Sequence, residues 1–153
     1  MNEHVKFMRE ALIEAVKAYN LGEVPIGAVI VKDNEIIARG YNLRETLLDS
    51  TAHAEIVAMR QAAQRLGDWR LSGTTLYSTI EPCAMCGGAI VQFRVDRLVY
   101  GAPDPKAGAV DSVIDVVRER RFNHRVDVIS GVLEDDCREI IQQFFRELRN
   151  KSK

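Results

Sequence analysis

A chain of 153 residues, 46% hydrophobic and 28% charged, is long enough to bury one core and short for two. Its 21 basic and 22 acidic residues leave a formal net charge of −1 at pH 7, so global charge neither implies nor excludes a nucleic-acid partner; a local basic patch would have to meet one. The opening MNEHVKFMREALIEAVKAY carries Glu3, Glu10 and Glu14 and reads as an amphipathic helix, not a signal peptide, and no apolar run nears the roughly 18 to 20 residues that span a bilayer. A cytoplasmic location is the resulting expectation, and 3 cysteines, two of them spaced C-x-x-C, suit a metal or redox site better than a disulfide framework.

In chain order, Val5, Met8, Leu12, Ala15, Val16 and Tyr19 recur at helical spacing and predict a helix over about residues 5–19, with Gly22 as its stop. IGAVIVKDNEIIARG reads as a hairpin turning at Asp33 and Asn34. Helical spacing returns over residues 53–66 and ends before Gly67. TTLYSTI (74–80) reads as a strand, and Pro82 falls where the first position of the next helix is expected, in EPCAMCGGAIVQF. RLVYG and VDVIS predict two more strands with a helix over DSVIDVVRERR (111–121) between them, and DDCREIIQQFFRELR predicts a closing helix. With no Pro/Ser-rich linker and no internal repeat, residues 1–153 are expected to form a single α/β domain. Its central five-stranded sheet opens with an antiparallel hairpin and carries helices on both faces.

Cys83 and Cys86 are three apart at a predicted helix start, so both thiols share one face of a first turn, where the helix end favours thiolates. His53 adds a nitrogen donor. One His and two Cys leave a fourth position for water, the pattern of a catalytic zinc site. Glu55 fits a proton-transfer role, provided that His53 and Glu55 sit at a helix start, with Ser50 or Thr51 as the expected cap. Other readings of these residues stand beside this one. The C-x-x-C can be a thiol redox pair, and His53 an ordinary polar residue. Cys137 can be a fourth ligand closing the site or, in its apolar helical setting, a core thiol.

The order H-A-E at a helix start, then a strand, then P-C-A-M-C resembles the zinc-dependent cytidine and deoxycytidylate deaminase superfamily. The stretches LGEVPIGAVIV, ARGYNLRET, TAHAEI, GDWRLSGTTLY, EPCAMCGGAIV, VYGAPDPKAGAVDS, NHRVDV and GVLEDDCREIIQQFFRELR are similar to those of the bacterial tRNA-specific adenosine deaminases, over about residues 4–149. The resemblance implies a three-layer α/β/α cytidine-deaminase-like fold with a mixed sheet. It implies one zinc ion per subunit on His53, Cys83 and Cys86, with Glu55 as general acid/base. It assigns Asn42 and the backbone at Ala54 to the flipped base. The implied reaction is hydrolysis of adenosine to inosine at the tRNA wobble position, in a homodimer. It also points to Asp104, Lys106, Phe145 and Arg149 as contacts for the anticodon loop. Asp111 stands where the family often has Gly, Asp115 where it often has Asn, and Ser50 where Pro is frequent.

Two basic stretches are candidates for phosphate contact. RERRFNHR (118–125) carries Arg118, Arg120, Arg121 and Arg125, and FFRELRNKSK (144–153) carries Arg146, Arg149, Lys151 and Lys153. Each also reads as a solvated element, since Lys and Arg favour helix C-termini. A free nucleobase or nucleoside deaminase of the guanine or cytosine type is the rival within the superfamily, and it needs a closed lid, not a basic helix. A zinc scaffold that only binds RNA leaves Glu55 without a role, and a thiol oxidoreductase leaves His53 and Glu55 without one.

Overall fold

Alternate residues of the strand Gly27–Lys32 (β1) enter two separate cores. Ala28 and Ile30 pack with Ala54, Ala58, Met59 and Ile90, whereas Val29 and Val31 pack with Phe7, Met8, Ala11 and Cys137. A strand that is apolar on both faces requires helices on both sides of its sheet. The computed structural model describes residues 2–151 and provides that cover. Helices α1 (Asn2–Asn20) and α5 (Glu134–Lys151) lie on one face; α3 (Ala54–Leu66) and α4 (Ala84–Gln92) lie on the other. Among the described residues, no helix is long and apolar enough to cross a membrane.

With β2 (Glu35–Tyr41), β3 (Thr74–Ile80), β4 (Arg97–Ala102) and β5 (Asp127–Ile129), the mixed sheet has the order β2-β1-β3-β4-β5. β1 runs antiparallel to β2 and β3, and β4 runs parallel to β3 and β5. The β1–β2 turn falls at Asp33 and Asn34, with φ of 51° and 65°, the left-handed pair that a two-residue hairpin needs. Close helix–sheet approach depends on missing side chains: a Cβ on Gly40 would run into the backbone of Ala54 and Ala58 in α3, and one on Gly27 into Ala11 and Ala15 in α1. Gly40 thereby holds the start of α3 against the end of β2.

Four expectations are corrected. Residues 111–121 form turns and not a helix. The Val110, Asp111 and Ser112 amides donate to the Glu81 carboxylate, Val116 donates to the Ala109 carbonyl, and four β-branched residues, Val113, Ile114, Val116 and Val117, weaken helix formation. A short helix α2 (Arg44–Leu47) occupies a segment with no predicted element. The N-cap of α3 is His53 itself, not Ser50 or Thr51, because Thr51 instead bonds Asp49. Pro82 lies one residue before the α4 cap, Cys83, and not at the first helical position.

Candidate active site

The ends of β2 and β3 and the start of β1 meet at one end of the sheet, and the N-termini of α3 and α4 converge there. Their caps, His53 and Cys83, have extended backbone and make no side-chain capping bond, so both side chains are free to face the site. The first intrahelical bonds run from Val57 N–H to His53 and from Gly87 N–H to Cys83. The N–H groups before them sit over the site and favour negative charge.

His53 Nδ1 lies 3.6 Å from Cys83 Sγ and 3.5 Å from Cys86 Sγ, and the three donor atoms lie within 4.8 Å of one another. Tetrahedral zinc, with Zn–S near 2.3 Å and Zn–N near 2.0–2.1 Å, separates N and S ligands by about 3.6 Å. The donor set therefore fits zinc in both chemistry and spacing. Cys137 is buried in the opposite core layer with Phe7 and Val99, so the fourth-ligand reading fails.

Protonation within the cluster is uneven. The hydrogen bond from Cys86, aided by His53, pulls the Cys83 thiol down to about 3, while the same bond and burial push Cys86 up. The bond to Cys83 raises His53. A bound cation would take the Cys83 thiolate as a ligand and displace the proton that Cys86 retains. Glu55, 4% exposed, is pushed by burial up to about 7, where a carboxyl both takes and gives protons near neutral pH. It also lies within hydrogen-bond reach of Cys86.

Asn42 leaves β2 buried. Its Nδ2 donates to the Val24 carbonyl (3.2 Å) and its Oδ1 accepts from Arg44 N–H (3.1 Å). One N–H and one lone pair of the amide remain for a ligand. Asn42, His53 and Ala54 line a cavity of about 120 Å³ together with Val24 and Ile26. Val24 and Ile26 also line a second cavity of about 480 Å³, walled by Asp104, Pro105 and Phe145. Phe145 lies between that cavity and a third, of about 660 Å³, which carries Lys106, Arg146 and Arg149. The expected base-contact and RNA-contact residues thus border a row of three cavities that share wall residues, a candidate groove.

The basic stretches separate on this geometry. Arg118 is committed to Asp111 (2.5 Å) and Asp115 (2.9 Å), and Arg121 to Glu119. Asp111 also accepts from the Tyr100 hydroxyl, so its charge is balanced by neighbours. Arg121 lines a different depression with Phe122 and Asn123. Lys153 lies outside the described residues. Sequence reasoning missed Glu23, Arg44 and Glu81 around the site. The signal for both glutamates was present: in GEVP and IEPC, an acid stands within two residues of a proline, in a connection between elements, with no basic neighbour.

This fold and this donor cluster together define a deaminase. The chain belongs to the MafB19-like deaminase family, whose model matches residues 2–149. It is 52% identical over 153 residues to the tRNA-specific adenosine deaminase of Bacillus subtilis (strain 168), covering 100% of this chain and 95% of that one. A solved structure from a study of A-to-I editing by tRNA:A34 deaminases at the wobble position matches with a TM-score of 0.85 and 49% identity, over 88% of this chain and 98% of that one. A guanine deaminase from Bacillus subtilis matches with a TM-score of 0.61 and 44% identity, over 64% and 63% of the two chains.

Proposed function

We propose that the protein is a zinc-dependent hydrolase converting adenosine to inosine at the wobble position of tRNA, acting in the cytoplasm as a homodimer. The observation that carries this reading is the groove running from His53 past Phe145 to Arg149: an open, basic-ended channel suits an extended RNA and not an enclosed free base. The relatives named for tRNA adenosine deamination support it at the level of the whole chain. For the dimer, exposed Val113, Ile114 and Phe122 supply apolar surface, and sedimentation tests it.

His53, Cys83 and Cys86 would hold the zinc ion, with Glu55 beside it. When bound, zinc supplies a Lewis acid that makes water nucleophilic near neutral pH. Asn42 holds an edge of the flipped purine, and the Ala54 backbone faces the base. Glu55 takes a proton from the attacking water and gives it to N1 as the C6–O bond forms. It then carries the second proton to the exocyclic amine, the C6–N bond breaks, and ammonia and inosine result. A carboxyl poised near 7 suits both directions of transfer.

The test is incubation with deacylated total tRNA and sequencing for A-to-G changes at the wobble position. Conversion there supports the reading. Efficient deamination of free guanine with unmodified tRNA would replace it with the free-base activity.

A further inference from the structure

Three carboxylates outside the metal centre are almost fully buried: Glu14 is paired with Lys17 and Arg39, whereas Glu23 and Glu81 form no ion pair among the described residues. Glu23, 1% exposed, accepts the N–H groups of Glu45 (3.1 Å) and Thr46 (2.6 Å) and the Thr46 hydroxyl (2.7 Å). Glu81, 2% exposed, accepts Asp104 N–H (3.0 Å) on one oxygen. Its other oxygen accepts Val110 (3.0 Å), Asp111 (2.7 Å) and Ser112 (3.0 Å) N–H, and the Ser112 hydroxyl donates to the first oxygen, beside Asp104 N–H.

The clamped segments are the two sides of the site. Residues 43–48 contribute Arg44, and residues 104–112 contribute Asp104 and Lys106. The second segment is irregular backbone, whose N–H groups must find partners outside any helix or sheet. Each carboxylate belongs to the chain that builds the centre: Glu23 adjoins Val24, which accepts from Asn42, and Glu81 stands two residues before Cys83. Gly108 permits this, since a Cβ there would enter the Glu81 carboxylate.

We propose that Glu23 and Glu81 are positioning residues that set the two walls of the RNA groove relative to the metal centre. Glu81 ties the 104–112 wall to the segment bearing Cys83, and Glu23 ties the Arg44 wall to Val24. This rests on the tRNA reading, because a groove wall is needed only by a substrate larger than the base. A glutamine preserves shape but turns an NH2 group toward backbone donors, so Glu81→Gln opens the clamp without emptying the site.

The experiment measures zinc content, melting and steady-state deamination of an anticodon stem-loop. In Glu81→Gln, one zinc per chain is retained, the half-saturating RNA concentration rises about tenfold or more, and the saturating rate stays within about threefold of wild type. Glu81→Asp, which keeps the charge, recovers part of the loss. Ser112→Ala and Thr46→Ala each delete one donor from an exposed residue and raise half-saturation by about two- to fivefold. A purely structural role would lower melting while leaving half-saturation of the folded fraction unchanged, and that result overturns the proposal. So does a loss confined to the saturating rate, which would assign Glu81 to the metal centre. If Glu81→Gln does not fold, Ser112→Ala decides. A wild type that edits tRNA beside variants of unchanged half-saturation refutes only the positioning role; a wild type that leaves tRNA unmodified refutes the RNA reading as well.

Discussion

Glu55 is the residue on which chemistry and burial converge: a carboxyl only 4% exposed, held near 7 by desolvation beside the His53, Cys83 and Cys86 cluster. Glu55→Ala is expected to retain the fold and one zinc per chain while losing deamination by at least about 10²- to 10⁴-fold, as assayed by inosine formation and metal analysis. Activity above about a tenth of wild type would remove the assigned role. Asn42 is more constrained than a free recognition group, since Val24 and Arg44 already take half of its capacity. Asn42→Ala therefore loses a base contact and a local brace together, about 1–3 kcal/mol in single-turnover kinetics. The thiols give a direct test of the ligand set. With zinc bound, none of the 3 cysteines should react readily with a thiol reagent. After chelation, half-buried Cys83 should react first, buried Cys86 more slowly, and Cys137 only on unfolding.

At the scale of elements, the parts written in local chemistry were readable before any coordinates. The left-handed turn at Asp33 and Asn34, the strand TTLYSTI and the C-x-x-C at a helix start needed only short-range spacing. Residues 111–121 defeated the same reasoning because their apolar period is helical, but the amides of Asp111 and Ser112 at their start are captured by Glu81, 30 and 31 positions away. The sequence marks His53 as a candidate ligand but not as a cap, because Asp49 competes for the Thr51 side chain that would otherwise cap the helix. Two predictions belong to this scale. Gly27→Ala forces a methyl into the backbone of α1 and should destabilise by about 1–3 kcal/mol in urea titration. Glu23→Gln should cost a similar amount at pH 7. Burial alone would raise the Glu23 carboxyl, but the bonds from Thr46 and Glu45 outweigh it and hold it below the usual range. Its stabilisation is therefore complete above the unfolded value of about 4.3 and is lost as pH falls through the lower folded value. Melting curves of wild type and Glu23→Gln should accordingly converge on acidification from pH 5 to 3; parallel curves would contradict the assignment.

For the molecule as a whole, the groove joins the sheet end to α5, so recognition is spread over segments distant in sequence. Arg146→Ala and Arg149→Ala should each weaken RNA binding and reduce the slope of log affinity against log salt by about 0.7, with zinc content unchanged. An unaltered slope would take α5 out of phosphate contact. The irregular connection between β4 and β5 has a consequence of a different kind. Arg120, Arg121 and Arg125 are exposed there, outside any helix or strand. Trypsin should make its first cut at these residues, where backbone opens at little cost. A cut after Arg120 leaves His53, Cys83, Cys86 and both wall-setting glutamates on the larger fragment, and Phe145 and Arg149 on the smaller. The smaller piece, β5 and α5, cannot bury Cys137 and Phe144 alone, and the larger exposes the face of β4 that α5 covers. The two pieces are thus a complementing pair: separately inert, they should reassociate on mixing and restore deamination, with the cut bond never rejoined.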